Sequence, residues 1–296
     1  MENIDDIVLN FSEDSLFILN VVLAFIMFGI SLDLKFSSFQ KVLSKPFSLS
    51  IGLMCQLVLL PLLTFGLILL FKPLPSMALG MIMVASCPGG NISNFMSSLA
   101  GANVELSIVM TVITSLGALF FTPFNLNLYG MAYAPTREIM VVVELDWLKI
   151  VSTIMLIIVI PIVLGKSFSH YYPRIAQKIK GQFRNLSMLA FLLIVLFALV
   201  ANGNYFMKYI GMVFLLVLAH NASAFLLGFL ASRSLSRPAK DIRSITIETG
   251  IQNSGLGLIL IFSFFSGLGG MAVVAAWWGI WHIISGFMVS FIFSRI

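Results

Sequence analysis

One carboxylate in this sequence stands where a carboxylate is expensive. Glu248 lies within an apolar stretch, whereas the other eleven acidic residues fall in polar segments or at the ends of apolar ones. An ionised carboxylate in hydrocarbon costs about 2.5–3.5 kcal/mol even on the lenient insertion scale, so it must hold a proton, a basic partner or a cation. No Lys or Arg lies deep in an apolar stretch to pair with it. Glu248 is therefore either a protonated acid hydrogen-bonded inside a helix bundle or a cation ligand. The neutral oxygens of Gln56, Ser93, Asn94, Ser107, Thr111 and Gln252 favour the cation. Ser107 and Thr111 stand at i and i+4 of one helix and share a face, which Thr114 extends. Any one of these hydroxyls alone would be read as bonding back to its own helix, so the cluster carries the inference. Hard oxygens suit hard ions, and one carboxylate is little charge for a dedicated divalent site. Sodium or a proton fits best.

The elements that must position these groups are membrane helices. The 296 residues are 59% hydrophobic and 10% charged, against about 25% charged in an ordinary soluble domain. Mean hydropathy is +1.05. Nine apolar runs, at about 15–33, 47–71, 76–100, 103–129, 147–166, 183–201, 205–230, 241–265 and 271–293, approach or exceed the length that crosses a bilayer. Twenty-seven Phe and sixteen Met suit lipid-facing and adaptable surfaces. Glu2, Asp5, Asp6, Glu13 and Asp14 precede the first run. A secretory signal starts basic instead, so this run is expected to be a retained helix. Cys55 and Cys87 both lie in apolar runs and make no disulfide framework. The net charge of +5 suggests basic cytoplasmic loops rather than a nucleic-acid partner.

Basic residues orient the set. Lys35, Lys41 and Lys45 follow the first run, and Lys166, Arg174, Lys178, Lys180 and Arg184 follow the fifth. Arg233, Arg237, Lys240 and Arg243 follow the seventh, and Arg295 the ninth, which puts thirteen of seventeen Lys and Arg on one side. Lys72, Arg137, Lys149 and Lys208 remain for the other. The positive-inside rule then places the N-terminus outside and the C-terminus in the cytoplasm, in an inner or plasma membrane.

Two of the nine runs are interrupted. The third breaks at Ser86-Cys87-Pro88-Gly89-Gly90-Asn91-Ile92-Ser93-Asn94, and the eighth at Glu248-Thr249-Gly250-Ile251-Gln252-Asn253-Ser254-Gly255. Pro removes a backbone donor and the Gly pair lowers helix propensity. Unwound backbone at membrane depth survives only inside protein or along a wet cavity. In the topology above the two interrupted runs are antiparallel, the arrangement of an inverted repeat with its site at mid-membrane. The repeats then cover 1–129, with four spans and the broken helix 76–100, and 147–296, with five spans and the broken helix 241–265. Span five has no counterpart.

In these two stretches the chain resembles the bile acid:sodium symporter family, and the resemblance extends over essentially its whole length. It implies an all-α integral membrane protein with nine transmembrane helices, as in mammalian relatives where bacterial ones often have ten. The helices form a panel-and-core arrangement with two broken crossing helices. It also implies two sodium sites. The first would use Ser93, Asn94, Ser107, Thr111 and Glu248. The second would use Gln56, Glu248, Gln252 and the backbone carbonyls of Thr249 and Ile251. Asn91 stands where many relatives carry a smaller Thr. With Asn253 and His282 it is expected to meet the substrate.

The function expected on these grounds is sodium-coupled uptake of an organic anion, bile-acid-like or a small carboxylate, by alternating access. Two sodium ions around Glu248 would leave about one net positive charge, and half-helix N-termini add positive dipole ends. No cofactor is implied beyond the two coupling ions. A rival reading is a sodium- or proton-coupled exporter or exchanger of the arsenite-permease type, which would need Cys87 as a soft ligand. A passive channel and a receptor are further rivals, the latter without a soluble output domain in this sequence. Trp277, Trp278 and Trp281 either line a cavity with His282 or anchor at the interface. His220 and Asn221 suit hydrogen bonds between helices. Gly255-Leu256-Gly257 has no strand before it and is no nucleotide loop. No nucleophile–base constellation or metal-ligand spacing points to an enzyme.

Overall fold

In the computed structural model the described residues are all-helical, with a single isolated bridge between two extended residues. The description covers the chain except residues 1–3, 8, 10–11, 33, 35, 144–145 and 202, and except some side chains within 6–36 and 184–206. Glu2 and Lys35, used above for orientation, lie outside the described residues, as does the side chain of Arg184. In chain order the helices are α1 (Glu13–Ser31), α2 (Phe36–Leu43), α3 (Pro46–Phe71), α4 (Pro75–Ser86), α5 (Ile92–Leu99), α6 (Val104–Ala132) and α7 (Ala134–Val143). They continue with α8 (Trp147–Tyr171), α9 (Pro173–Ala201), α10 (Gly203–Ser234), α11 (Ala239–Gly250), α12 (Ser254–Phe264) and α13 (Gly269–Ser294). Among the described residues six are long and apolar enough to cross a membrane: Glu13–Ser31, Pro46–Phe71, Val104–Ala132, Trp147–Tyr171, Met207–Ser234 and Gly269–Ser294. The run 183–201 falls in α9, where some side chains lie outside the description.

Helix starts follow local chemistry. Ser12 caps α1 by accepting from Ser15 N at 3.2 Å, with Glu13 and Asp14 at the positive end of the helix dipole. Asp146 caps α8 through the amides of Leu148 and Lys149, and the Lys149 amide leads the contacts that hold its carboxyl below the usual range. Two short helices that the apolar runs do not announce, α2 and α7, fill connections between spans; both are too short to cross a bilayer.

Both interrupted runs are broken helices. The third is divided into α4 and α5 by residues 87–91, and the eighth into α11 and α12 by residues 251–253. The second break is shorter than the polar stretch that signalled it. Helix persists through Glu248, Thr249 and Gly250 because its terminal carbonyls find partners: Gln252 Nε2 donates to Thr249 O at 2.9 Å and Asn221 Nδ2 to Gly250 O at 2.7 Å.

These broken helices occupy the middle of the molecule. Every residue of α4 from Ser76 to Ser86 is buried, as is Ser254–Ile261 of α12. α4 packs against α13, α11 against α10, and α1 lies with α8 and α9. The outward faces are apolar instead, with Leu62 and Leu70 on α3, Leu156 and Leu164 on α8, and Met288 and Phe291 on α13 all exposed. That is the inside-out distribution of a chain whose solvent is lipid.

Candidate functional site at the helix crossover

Where the two breaks cross, backbone meets backbone. Gly89 and Gln252 form an antiparallel bridge, with Gly90 N donating to Ile251 O at 2.8 Å and Asn253 N to Pro88 O at 2.9 Å. Chains approach this closely because Gly89 and Gly90 lack side chains. A Cβ on Gly90 would stand 2.7 Å from Gln252 O, and one on Gly89 would collide with Glu248 Oε1. The glycine pair that weakens the helix also admits the carboxylate.

Glu248 is fully buried in the last turn of α11 and accepts three hydroxyls. Ser93 Oγ donates to Oε2 at 2.6 Å, Ser107 Oγ to Oε2 at 2.9 Å, and Thr111 Oγ1 to Oε1 at 2.5 Å. Asn94 joins them, its Oδ1 lying 2.9 Å from Ser107 Oγ and 3.3 Å from Thr111 Oγ1. The five residues expected at the first site thus converge from α5, α6 and α11. Three hydroxyl protons, of Ser93, Ser107 and Thr111, here meet three acceptor oxygens, the two of Glu248 and Asn94 Oδ1. Ser107 and Thr111 each carry one hydroxyl proton, yet each lies in reach of both the carboxylate and the Asn94 carbonyl. Among the described residues no group of three or more His, Cys, Asp or Glu could hold a metal ion, so the donor set is one carboxylate among neutral oxygens.

The second expected group gathers at the Glu248 backbone carbonyl. Gln56 and Gln252 are buried with their amides 2.7 Å apart. Turning the Gln56 amide over, as its neighbours favour, lets its nitrogen donate to Glu248 O at 3.1 Å and its oxygen accept from Gly89 N at 3.2 Å. The carbonyls of Thr249 and Ile251 each accept one bond, from Gln252 Nε2 and Gly90 N, which leaves each a second lone pair. Gln56 sits in a π-turn at Cys55–Leu59, just before Pro61. Pro61 has no amide for the Leu57 carbonyl, and Asn125 Nδ2 takes its place at 3.0 Å. Asn125 went unremarked in the sequence; its one signal is a polar residue deep in apolar α6. The same device, a π-turn at Met155–Val159 before Pro161, recurs in α8.

Asn91, Asn253 and His282 all line one cavity of about 460 Å³ beside the crossover, bounded across from them by α1 residues such as Leu23 and Ile26. Asn253 Oδ1 caps α12 by accepting from Leu256 N at 3.1 Å, which leaves its Nδ2 an unpartnered donor. Asn91 Oδ1 and His282 Nδ1 are likewise without partners. The tryptophans do not join them. Trp277 and Trp281 pack with Phe214, and Trp278 is fully buried against His220 at 4.7 Å between ring centroids. His220 Nε2 lies 2.7 Å from Thr64 Oγ1, and Asn221 bonds Gly250, so both do connect helices. Cys87 is buried with its sulfur against Gly257.

The chain matches the model of the Sodium Bile acid symporter family over residues 20–209. It is similar to an uncharacterized sodium-dependent transporter of Bacillus subtilis, 31% identical over 97% of this chain and 88% of that protein. The human ileal sodium/bile acid cotransporter is 28% identical over 81% of this chain and 67% of its own length. A probable chloroplastic sodium/metabolite cotransporter of rice is 26% identical over 83% of this chain, which spans 57% of that protein. With a match that covers most of its length and motifs that meet at one crossover, the chain belongs to the sodium bile acid symporter family and is a multi-pass membrane transporter rather than an enzyme.

Proposed function

We propose that this protein is a symporter that moves an organic anion inward with two sodium ions, bound at the crossover. The observation that carries this reading is a fully buried carboxylate, Glu248, ringed by the neutral oxygens of Ser93, Asn94, Ser107 and Thr111 with no ion pair to it among the described residues. A sodium ion among these hard oxygens compensates the buried charge. One sodium ion is assigned to Ser93, Asn94, Ser107, Thr111 and Glu248. The other is assigned to Gln56, Glu248, Gln252 and the carbonyls of Thr249 and Ile251.

The six long helices, the pairs α4–α5 and α11–α12, and α9 make nine crossings. The grouping of α1 with α8 and α9 supports a panel that rocks against a core of the remaining crossings, within repeats at 1–129 and 147–296. The N-terminus is assigned to the outside and the C-terminus to the cytoplasm, on the distribution of basic residues. Ser236 then lies in an exposed cytoplasmic turn. On a background without Cys55 and Cys87, a cysteine placed at Ser236 is expected to react with a membrane-impermeant maleimide only after the cells are opened. Labelling in intact cells would reverse the topology.

The cavity supports an anionic substrate. Its unpartnered Asn253 amide donates to a carboxylate, and the Asn91 carbonyl accepts from a hydroxyl or amide of the same molecule. Uptake of labelled carboxylates and sulfonates into proteoliposomes tests the assignment. It is expected to require an inward sodium gradient and to stop when choline replaces sodium; uptake that follows a pH gradient instead would make the proton the coupling ion. For a small hydroxy acid held at the crossover, Asn91→Ala and Asn253→Ala should each cost about 1–3 kcal/mol of binding in saturating sodium, as calorimetry would read it. A bile-acid-like anion held by apolar area should lose less. Binding of neutral or cationic compounds alone would refute an anion carrier.

A further inference from the structure

About two helical turns from Glu248, toward the N-terminus of α11, lies a second carboxylate that the mechanism does not use. Asp241 Oδ2 accepts from Ser48 Oγ at 2.7 Å and Oδ1 from Asn103 Nδ2 at 2.8 Å. Ser48 opens α3, and Asn103 is the N-cap of α6, where its Oδ1 accepts from Leu106 N at 3.2 Å. Backbone bonds close the knot: Asn103 N donates to Lys240 O at 3.1 Å, and Ser244 Oγ to Asn103 O at 2.7 Å. Arg243 donates to Ala100 O at 2.9 Å, tying the end of α5 to the same turn of α11. Each oxygen of the Asp241 carboxylate has a neutral side-chain donor, and among the described residues no ion pair to it is formed.

The helices that leave this knot are the ones that carry the cation ligands. Asp241 precedes Glu248 by seven residues on α11, so the two share a face roughly 10 Å apart. Asn103 precedes Ser107 and Thr111 on α6, and Ser48 precedes Gln56 on α3 by about two turns. α3 also carries the π-turn that aims Gln56, so its register is measured from Ser48 upward. A helix transmits an axial shift at one end to ligands two turns on, and oxygens around a small ion tolerate only tenths of an ångström.

We infer that Asp241 is a positioning residue for sodium binding, fixing through Ser48 and Asn103 the axial register of α3, α6 and α11, three of the four helices that carry the assigned ligands. The inference rests on the cation site proposed above. Asp241→Asn keeps the shape but removes the charge: its Oδ1 still accepts from Asn103 Nδ2 and its Nδ2 can donate to Ser48 Oγ, so two charge-assisted bonds become neutral ones. The expected result is about a tenfold higher sodium concentration for half-maximal uptake, the weakening of two charged hydrogen bonds to neutral ones, with a shallower sodium dependence. Substrate KM in saturating sodium should not change, since Asp241 does not line the cavity. Exchanging the pair, Asp241→Asn with Asn103→Asp, restores a carboxylate facing an amide donor, keeps an oxygen on Leu106 N, and should return the sodium requirement to that of the wild type.

Ser48→Ala removes a single bond and provides a milder variant should Asp241→Asn fail to fold. In it the sodium-induced rise in melting temperature of the purified protein should shrink. An unchanged sodium requirement in Asp241→Asn, an equal change in substrate KM, or no rescue by the exchange would overturn the inference. Glu248→Gln measured alongside separates the two readings. If it also keeps the wild-type sodium response, the cation site is wrong and this role falls with it; if it alone loses the response, only the role of Asp241 is wrong.

Discussion

Replacing Glu248 by Gln is expected to abolish sodium-driven uptake while leaving the protein folded. The variant preserves the volume of the side chain, so the packing of α5, α6 and α11 has no new cavity to absorb. What changes is charge and proton count. Three hydroxyls now donate to a neutral amide that has one acceptor oxygen, and both proposed ion sites lose their only anionic ligand. A buried bond to a charged group is worth about 1.5–3 kcal/mol, so loss of one such ligand weakens an ion by about a hundredfold at the upper end. The ligands that serve one site alone should behave differently. Thr111→Ala and Gln252→Ala should each leave uptake measurable and raise the sodium concentration it needs. Sodium titrations of uptake in proteoliposomes, with melting curves to establish that each variant is folded, check the series. Uptake by Glu248→Gln at the wild-type sodium requirement would falsify the shared-ligand arrangement.

Gly89→Ala should produce nearly the same loss without replacing any ligand residue. The new Cβ would lie on top of Glu248 Oε1, and the easiest relief is to push the carboxylate off its three hydroxyls. Gly90→Ala meets the Gln252 carbonyl at 2.7 Å instead, where no flexible side chain can give way. That variant should strain the crossover itself and cost about 1–3 kcal/mol of stability, the usual range for overpacking. Gly66 on α3 has nothing within 4 Å of a Cβ, and Gly66→Ala serves as the control, slightly stabilising by helix propensity. The expected contrast is thus a lost sodium response at normal melting temperature for Gly89→Ala, a lowered melting temperature for Gly90→Ala, and neither for Gly66→Ala. Normal sodium dependence in Gly89→Ala would mean that the carboxylate has more room than this crossover allows.

Much of this architecture was legible in the residues one after another. Apolar run length announces the helices, because burying backbone in lipid requires long internally bonded segments. The stretches Cys87 to Asn94 and Glu248 to Gly255 announce the breaks, since Pro, Gly and clustered polar side chains weaken the interior of a helix. Glu248 announces itself by cost alone. The contacts that turn these parts into a site were decided elsewhere. Thr111 meets Glu248 across 137 residues and Gln56 meets Gln252 across 196, and no local preference encodes such a meeting. The tertiary structure also decided that Gly250 remains helical, because Asn221 of α10 bonds its carbonyl. It aimed Gln56 through a π-turn whose loose carbonyl Asn125 takes up, and it tied Asp241 to Ser48 and Asn103. Hydropathy and helix-breaking composition are properties of a segment and survive in the sequence. Which orphaned donor finds which orphaned acceptor depends on how segments cross, and only the packed chain settles it.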